Sequence, residues 1–330
     1  MPIYEEDPWR MQYFHAVECP PHVHVPTDDP DAYARNPRYR WVYNKLAVAE
    51  SQGLACAPHG VEPASYPVFS KPIINLRGMG MGSCTLQSRA EYLQRQTPGH
   101  FWMTLLTGEH VSSDIAVING EMVWVRHAIG ESVAGGTFDH WTIDLRARPL
   151  LESYCGQWVR SNLSGYTGML NIESIGDRLI EIHLRFTDQW PDLYGKAWLA
   201  AVVRLYQHGA WEGAEADRRV GYSVVLFGPH GRQYRHPPRG LTEELTAVPG
   251  ISSIQITFHE DRPAALHSMP PGGFRLAIVN CWDLNAGRIA RRRLAQTFVD
   301  DTVPAQRCSD RDLNFSKRRR SIMAQRSGHR

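Results

Sequence analysis

Two periods run along the chain. Short apolar-rich windows bounded by turn residues read as strands at 67–72, 83–86, 101–106, 113–118, 122–127, 168–174, 178–185, 221–227, 253–258 and 274–280. Asn119-Gly120 separates two of these windows and Gly176-Asp177 two others, and both pairs suit hairpin turns. Helical spacing predicts helices over 39–52, 88–96, 196–206 and 283–297, and Pro149 is placed to open another that reaches 156–159. Residues 1–38 show little periodicity, and Pro20, Pro21, Pro26 and Pro30 argue against a helix there. No internal repeat is evident. Mixed strands and helices with prominent hairpins predict an α+β protein with antiparallel sheets.

At 330 residues, with 42% hydrophobic and 21% charged residues, the chain can bury a sizeable core. No apolar run is long enough to span a membrane, and Met1–Asp7 has neither the basic region nor the apolar core of a signal peptide. The six cysteines are scattered and none sits in a CxxC pair, so neither a zinc knuckle nor a disulfide framework is indicated. A reducing cytoplasm is the expected location. The overall charge of +2 hides an asymmetry: residues 301–330 hold eight Lys or Arg and three Asp, a net of +5, which leaves the rest at −3. That end reads as a basic flexible tail. Neither a membrane nor a nucleic acid is expected as a partner.

Two stretches carry candidate chemistry. In Leu179-Ile180-Glu181-Ile182-His183-Leu184-Arg185, period two puts Glu181, His183 and Arg185 on one face. A carboxylate, an imidazole and a guanidinium side by side suit a divalent cation and a phosphate. Earlier, Lys71 in Val68-Phe69-Ser70-Lys71-Pro72 precedes Gly78-Met79-Gly80-Met81-Gly82-Ser83. A strand lysine supplies a point charge, and glycines let backbone N–H groups approach phosphate oxygens. Each feature also has a plainer reading: Lys71 and Lys45 as solvated lysines, Glu181 as half of an ion pair with Arg185, His183 as a hydrogen-bonded structural residue. Trp190, Tyr194 and Trp198 read as packing.

The order of these parts, from about Asn44 to Arg185, resembles the ATP-grasp superfamily. Lys45, Lys71 with its V-x-x-K-P strand, the loop 78–83, the Gly108-Glu109 turn and Glu181-x-His183-x-Arg185 stand where that family has two lysines, a glycine-rich loop, a hinge and an E-x-N-x-R metal strand. The resemblance implies an ATP-grasp α+β fold in which two subdomains, 43–106 and 107–200, clamp a nucleotide. A shortened N-terminal segment (1–42) would precede them and a C-terminal α+β cap (201–300) follow. It implies an ATP-dependent ligase that activates a carboxylate as an acyl phosphate for an amine, thiol or similar nucleophile. A catalytically degenerate nucleotide-binding relative is the alternative. Lys45, Lys71, Gly78, Gly80, Gly82, Ser83 and Glu109 would hold ATP, with Glu109 at the ribose. Glu181, His183 and either Asn171 or Glu173 would hold magnesium or manganese, and Arg185 would steady the transferred group. His183 could instead point a ring N–H at a phosphate. Many such relatives are dimers, so a homodimer is expected too.

Overall fold

Antiparallel pairing organises the chain into two sheets. A computed structural model describes Ile3, Glu5 and residues 7–213 and 219–298; the basic segment 301–330 lies outside the described residues. The smaller sheet holds β1 (Cys56–Pro58), β2 (Val68–Pro72), β3 (Cys84–Leu86) and β4 (His100–Thr104) in the order β1-β4-β2-β3. The larger holds β5 (His110–Ile118), β6 (Glu121–Ser132), β7 (Phe138–Asp144), β8 (Gly168–Ile175), β9 (Arg178–His183), β10 (Gly221–Gly228), β11 (Ile251–Ile256) and β12 (Phe274–Cys281). Its order is β11-β12-β10-β7-β6-β5-β8-β9, which leaves β9 at an edge. The helices are α1 (Pro8–Met11), α2 (Asp29–Arg35), α3 (Lys45–Glu50), α4 (Arg89–Gln94), α5 (Pro149–Asn162), α6 (Trp198–His208), α7 (Arg239–Thr246) and α8 (Leu284–Thr297). The pairing of β10 with β7, Gly221 opposite Ile143, carries one sheet across the boundary expected at residue 200.

The two hairpin turns form as their residues dictate. Asn119 and Gly120 have φ of 52° and 83°, and Gly176 and Asp177 have 54° and 60°. Both central residues of a type I′ turn need positive φ. The second turn pairs Ile175 with Arg178, and a bulge between Glu173 and Ser174 then shifts the β8–β9 register by one, which sets Asn171 opposite His183 and Glu173 opposite Glu181.

The large sheet has unlike faces. On one, Ile115, Leu170 and Ile172 pack with Leu151, Trp158 and Val159 of α5. On the other, Ala116 and Met169 pack under Trp198 and Val202 of α6. Alternation places Asp114, Ser112 and His110 on this second face beyond Ala116, so the face turns from apolar to polar along β5. Trp190, Tyr194 and Trp198 are buried in the α6 core, as packing residues.

Two local expectations are corrected, and one strand was not expected. The helix expected over 39–52 is split: a 3₁₀ turn at Arg40–Tyr43 ends at Asn44, whose side chain accepts from Ala47 N–H and caps α3. A helix does form before residue 38. Asp28 caps α2 by accepting from Asp31 N–H, and Pro30 sits in the first turn, where no N–H is needed. The strand β7 contains Asp139, whose charge is answered from α8 by Arg288 and Arg291 at 2.8 and 2.6 Å; that long-range pairing leaves no trace in local pattern.

A methyl group on Gly176 would stand 2.2 Å from the Thr107 carbonyl oxygen, at a positive φ. Gly176→Ala should therefore cost more than about 1 kcal/mol, read as a lowered urea midpoint. An unchanged midpoint would mean that this turn does not set the β8–β9 register.

Candidate active site

Two lysines from different elements meet at the edge strand β9. Lys45 opens α3, and its ammonium lies 2.6 Å from a Glu181 carboxylate oxygen. Lys71 lies on β2, in the middle of the small sheet; its ammonium donates to the Ile180 carbonyl at 2.7 Å and sits 5.7 Å over the Phe101 ring. Each lysine is only 6% exposed. Burial and the neighbouring Lys45 charge bring the Lys71 pKa down to about 8. Gln52 also meets the β9 edge, accepting from Leu179 N–H at 2.8 Å and donating to its carbonyl at 2.9 Å. Side chains thus satisfy backbone groups that an edge strand leaves open.

One step along β9, the glutamate chain continues into a second set of charges. His183 Nε2 is 3.7 Å from Glu181, and its Nδ1 donates to Asp29 at 2.9 Å. Arg185 grips the same carboxylate at two points, Nε to Oδ1 and Nη2 to Oδ2, both 2.9 Å. The Tyr43 hydroxyl donates to Asp29 Oδ1 at 3.2 Å. Burial alone would raise the Asp29 pKa, but Arg185 and His183 hold it well below the usual carboxylate range. Burial disfavours the charged imidazole, yet Asp29, helped by Glu181, raises His183 above its ordinary value.

Next to this chain, Asn171 and Glu173 take separate partners. The Asn171 amide nitrogen donates to Ser112, Asp114 and Thr187 at 2.8–2.9 Å. Asp114 also accepts from the Tyr194 hydroxyl and Thr187 N–H, and burial pushes its pKa up to about 6. Glu173 pairs with His110 Nε2 at 3.1 Å. Although burial opposes it, that pairing brings the Glu173 pKa down to about 2.

The loop between β2 and β3 holds Gly78, Gly80 and Gly82 at φ of 64°, 61° and 73°. Added Cβ atoms at Gly78 and Gly80 would meet open space, whereas one at Gly82 would stand 3.0 Å from His100. Ser83 N–H donates to the Gly80 carbonyl, which closes the loop into a turn. Met79 packs against the apolar cluster beneath α8, so the loop reaches across to the large sheet. Glu109, in the turn before β5, is exposed and paired with Arg148 at 2.9 Å.

Three solved structures share this architecture. An L-amino acid ligase from Bacillus licheniformis superposes with a TM-score of 0.55 at 13% identity, over 81% of this chain and 72% of that one. A carboxyaminoimidazole ribonucleotide synthase from Aspergillus clavatus, solved with ATP, gives 0.55 at 13% over 78% and 73%. A phosphoribosylamine–glycine ligase from Thermotoga maritima gives 0.54 at 14% over 78% and 77%. The chain has the ATP-grasp fold. No family model matches the sequence, and no curated protein does.

Within the ATP-grasp fold of this chain, Lys45, Lys71, Glu181, His183 and Arg185 come together along β9. Glu173 lies opposite Glu181 on the same face. Asn171 is turned away into the Asp114 network, and Glu109 is held at the surface by Arg148. The four residues expected to ligate magnesium or manganese do not form a ligand set. Glu181 is paired with Lys45, Glu173 with His110 and His183 with Asp29, while Asn171 donates inward. Among the described residues no group of three or more His, Cys, Asp or Glu stands as ligands around one point.

Asp29, Tyr43, Asp114 and His110 complete the site and were not singled out from the sequence. The signal at Asp29 was local: Asp28-Asp29-Pro30-Asp31 is a helix-start pattern. For the other three, partners far along the chain supply the meaning.

A raised histidine pKa contributes stability that is complete below the unfolded value, near 6.5, and is lost as pH rises through the folded value. Urea midpoints of wild type and His183→Gln, from about pH 6 to about pH 9, should therefore converge as pH rises. A gap independent of pH would show that the imidazole is not held as a cation.

Proposed function

We propose that this chain binds ATP and uses it to join a small-molecule carboxylate to an amine or similar nucleophile. The observation that carries the proposal is the convergence of Lys45 and Lys71, both buried, on one edge strand, with Lys71 on the strand that leads into a glycine-rich loop. Burying two ammonium groups together is unfavourable unless anions answer them. Glu181 answers Lys45; Lys71 donates to a neutral carbonyl, and the attraction of Glu181 and Glu173 does not offset its burial and the Lys45 charge. A polyphosphate supplies the missing negative charge. The L-amino acid ligase and the phosphoribosylamine–glycine ligase that share this fold support the reaction class.

In this reading the segments 43–106 and 107–200 are the two halves of the clamp. Lys45 and Lys71 contact phosphates, and Gly78, Gly80, Gly82 and Ser83 cover them with backbone N–H groups. Glu109 would release Arg148 to take the ribose. Closure of the loop excludes water, so that ATP is not hydrolysed unproductively. A carboxylate oxygen attacks the γ-phosphorus and ADP leaves, giving an acyl phosphate. The nucleophile then attacks the acyl carbon, and inorganic phosphate leaves. Arg185 steadies the oxygens that gain charge in both steps. Since the residues expected to hold a metal are committed to protein partners, no step is assigned to one.

A second reading, a nucleotide-binding protein without turnover, draws on one observation: Arg185, the group meant for the transferred phosphoryl, is already gripping Asp29. Release of phosphate in the presence of ATP, carboxylates and amines separates the two readings.

Calorimetric titration with ATP, with magnesium and with chelator, should show binding to wild type. Lys71→Met keeps the packing over Phe101 and should weaken that binding about tenfold or more, the loss expected for a charged hydrogen bond. Because Lys71 has a pKa of about 8 and a phosphate would raise it, binding above pH 8 should take up protons, and Lys71→Met should abolish the uptake. Absence of ATP binding to wild type at any magnesium concentration would end the ligase reading.

A further inference from the structure

The contacts of Asp29 have the form of ligand recognition. A guanidinium meets both of its oxygens side-on, the arrangement by which arginine selects carboxylates and phosphates. His183 and the Tyr43 hydroxyl add two more donors, and the carboxylate is 5% exposed. The three donor residues lie on β9, on the segment just beyond it and on the 3₁₀ turn before α3. Asp29 comes from elsewhere, the first residue of the seven-residue α2.

This assembly joins the lysine site through a short chain, His183 to Glu181 at 3.7 Å and Glu181 to Lys45 at 2.6 Å. We infer that Arg185, His183 and Tyr43 form a carboxylate- and phosphate-binding site which Asp29 fills as an internal plug, and that a substrate carboxylate enters by displacing the segment 24–36. The identity of the entering group rests on the ligase reading; the plug rests on the Asp29 contacts.

Physical constraints make the exchange workable. The fork of one arginine binds one carboxylate bidentately, so Asp29 and a ligand exclude each other. Exchange of one carboxylate for another conserves the charge count around Arg185, and no buried cation is left unpaired. The segment is anchored at its start, where Val25 is buried in the main core and the Thr27 carbonyl accepts from Arg10, so the part that moves is α2. A helix of seven residues is not stable by itself; α2 is held by Ala32 and Tyr33 packing, by the His24–Asp31 pair, by the Asp29 contacts and by the capping bond of Asp28. Being tethered, Asp29 acts at a high effective concentration. A free anion therefore displaces it only at high concentration, whereas a ligand that also contacts the lysines does so at low concentration. Access to Arg185 is thereby coupled to occupation of the phosphate site.

The probe is inorganic phosphate, titrated at constant ionic strength into wild type, Asp29→Asn and the double variant Asp29→Asn/Arg185→Met. Asp29→Asn should bind phosphate at least tenfold more tightly than wild type, and the double variant should lose the gain. A folded Asp29→Asn whose phosphate affinity is within twofold of wild type overturns the plug. If Asp29→Asn does not fold, hydrogen exchange of residues 24–36 in wild type replaces it. Exchange should rise with phosphate relative to chloride, and no rise at the highest soluble phosphate overturns the proposal. The ligase reading fails separately: wild type that binds no ATP, beside an Asp29→Asn that gains phosphate, sinks the ligase and keeps the plug.

Discussion

The chain of buried charges Lys45–Glu181–His183–Asp29–Arg185 is the constraint on which the rest of the molecule depends. An ionised group taken out of water costs several kcal/mol unless it is paired and hydrogen-bonded. Here pairing requires three separate parts of the backbone to arrive together. The α3 start brings Lys45, β9 and its continuation bring Glu181, His183 and Arg185, and α2 brings Asp29. Lys71 adds the small sheet through its bond to the Ile180 carbonyl. Loss of any one partner strands a charge on another element, so the junction is cooperative rather than a sum of contacts.

The β5–β8–β9 register translates this constraint into a surface. Because Asn171 faces Asp114 on one side and His183 on the other, the face carries a polar row across three strands. The next row sets Ser112, Glu173 and Glu181 in line. Like charges directly opposite in a sheet repel. Lys45 answers Glu181, and the His110 imidazole pairs with Glu173. The two carboxylates are therefore stable neighbours only while these partners from outside the hairpin attend them.

The sequence made the β9 face readable because alternation is local: three polar residues at period two within an apolar strand need no knowledge of partners. The glycine loop and the two I′ turns were readable for the same reason, since φ preference belongs to single residues. Asp29 was not. Pro20, Pro21, Pro26 and Pro30 argue for irregular chain, and α2 uses Pro30 in its first turn, where proline costs nothing. Asn171, as an alternative to Glu173, was read as a metal ligand from the ATP-grasp resemblance, on the strand before β9. Its orientation is decided instead by Asp114, a buried aspartate on another strand that needs donors. Pairwise pattern identifies which residues share a face; what each one bonds to depends on the charges that folding brings beside it.

The two lysines are not equivalent, and the difference bears on how an anion is drawn in. Lys45 already has a carboxylate at 2.6 Å, so an arriving phosphate must share it or replace Glu181. Lys71 donates to a carbonyl, which satisfies its hydrogen-bonding capacity in part and its charge hardly at all. Its pKa of about 8 reflects this: burial and the Lys45 charge act against the ammonium, and the attraction of Glu181 and Glu173 does not make up the difference. An anion placed beside Lys71 relieves an existing electrostatic cost, whereas one beside Lys45 competes with a pair already made. The buried geometry therefore leaves Lys71 incompletely compensated on the small sheet, on the strand that leads into the glycine-rich loop.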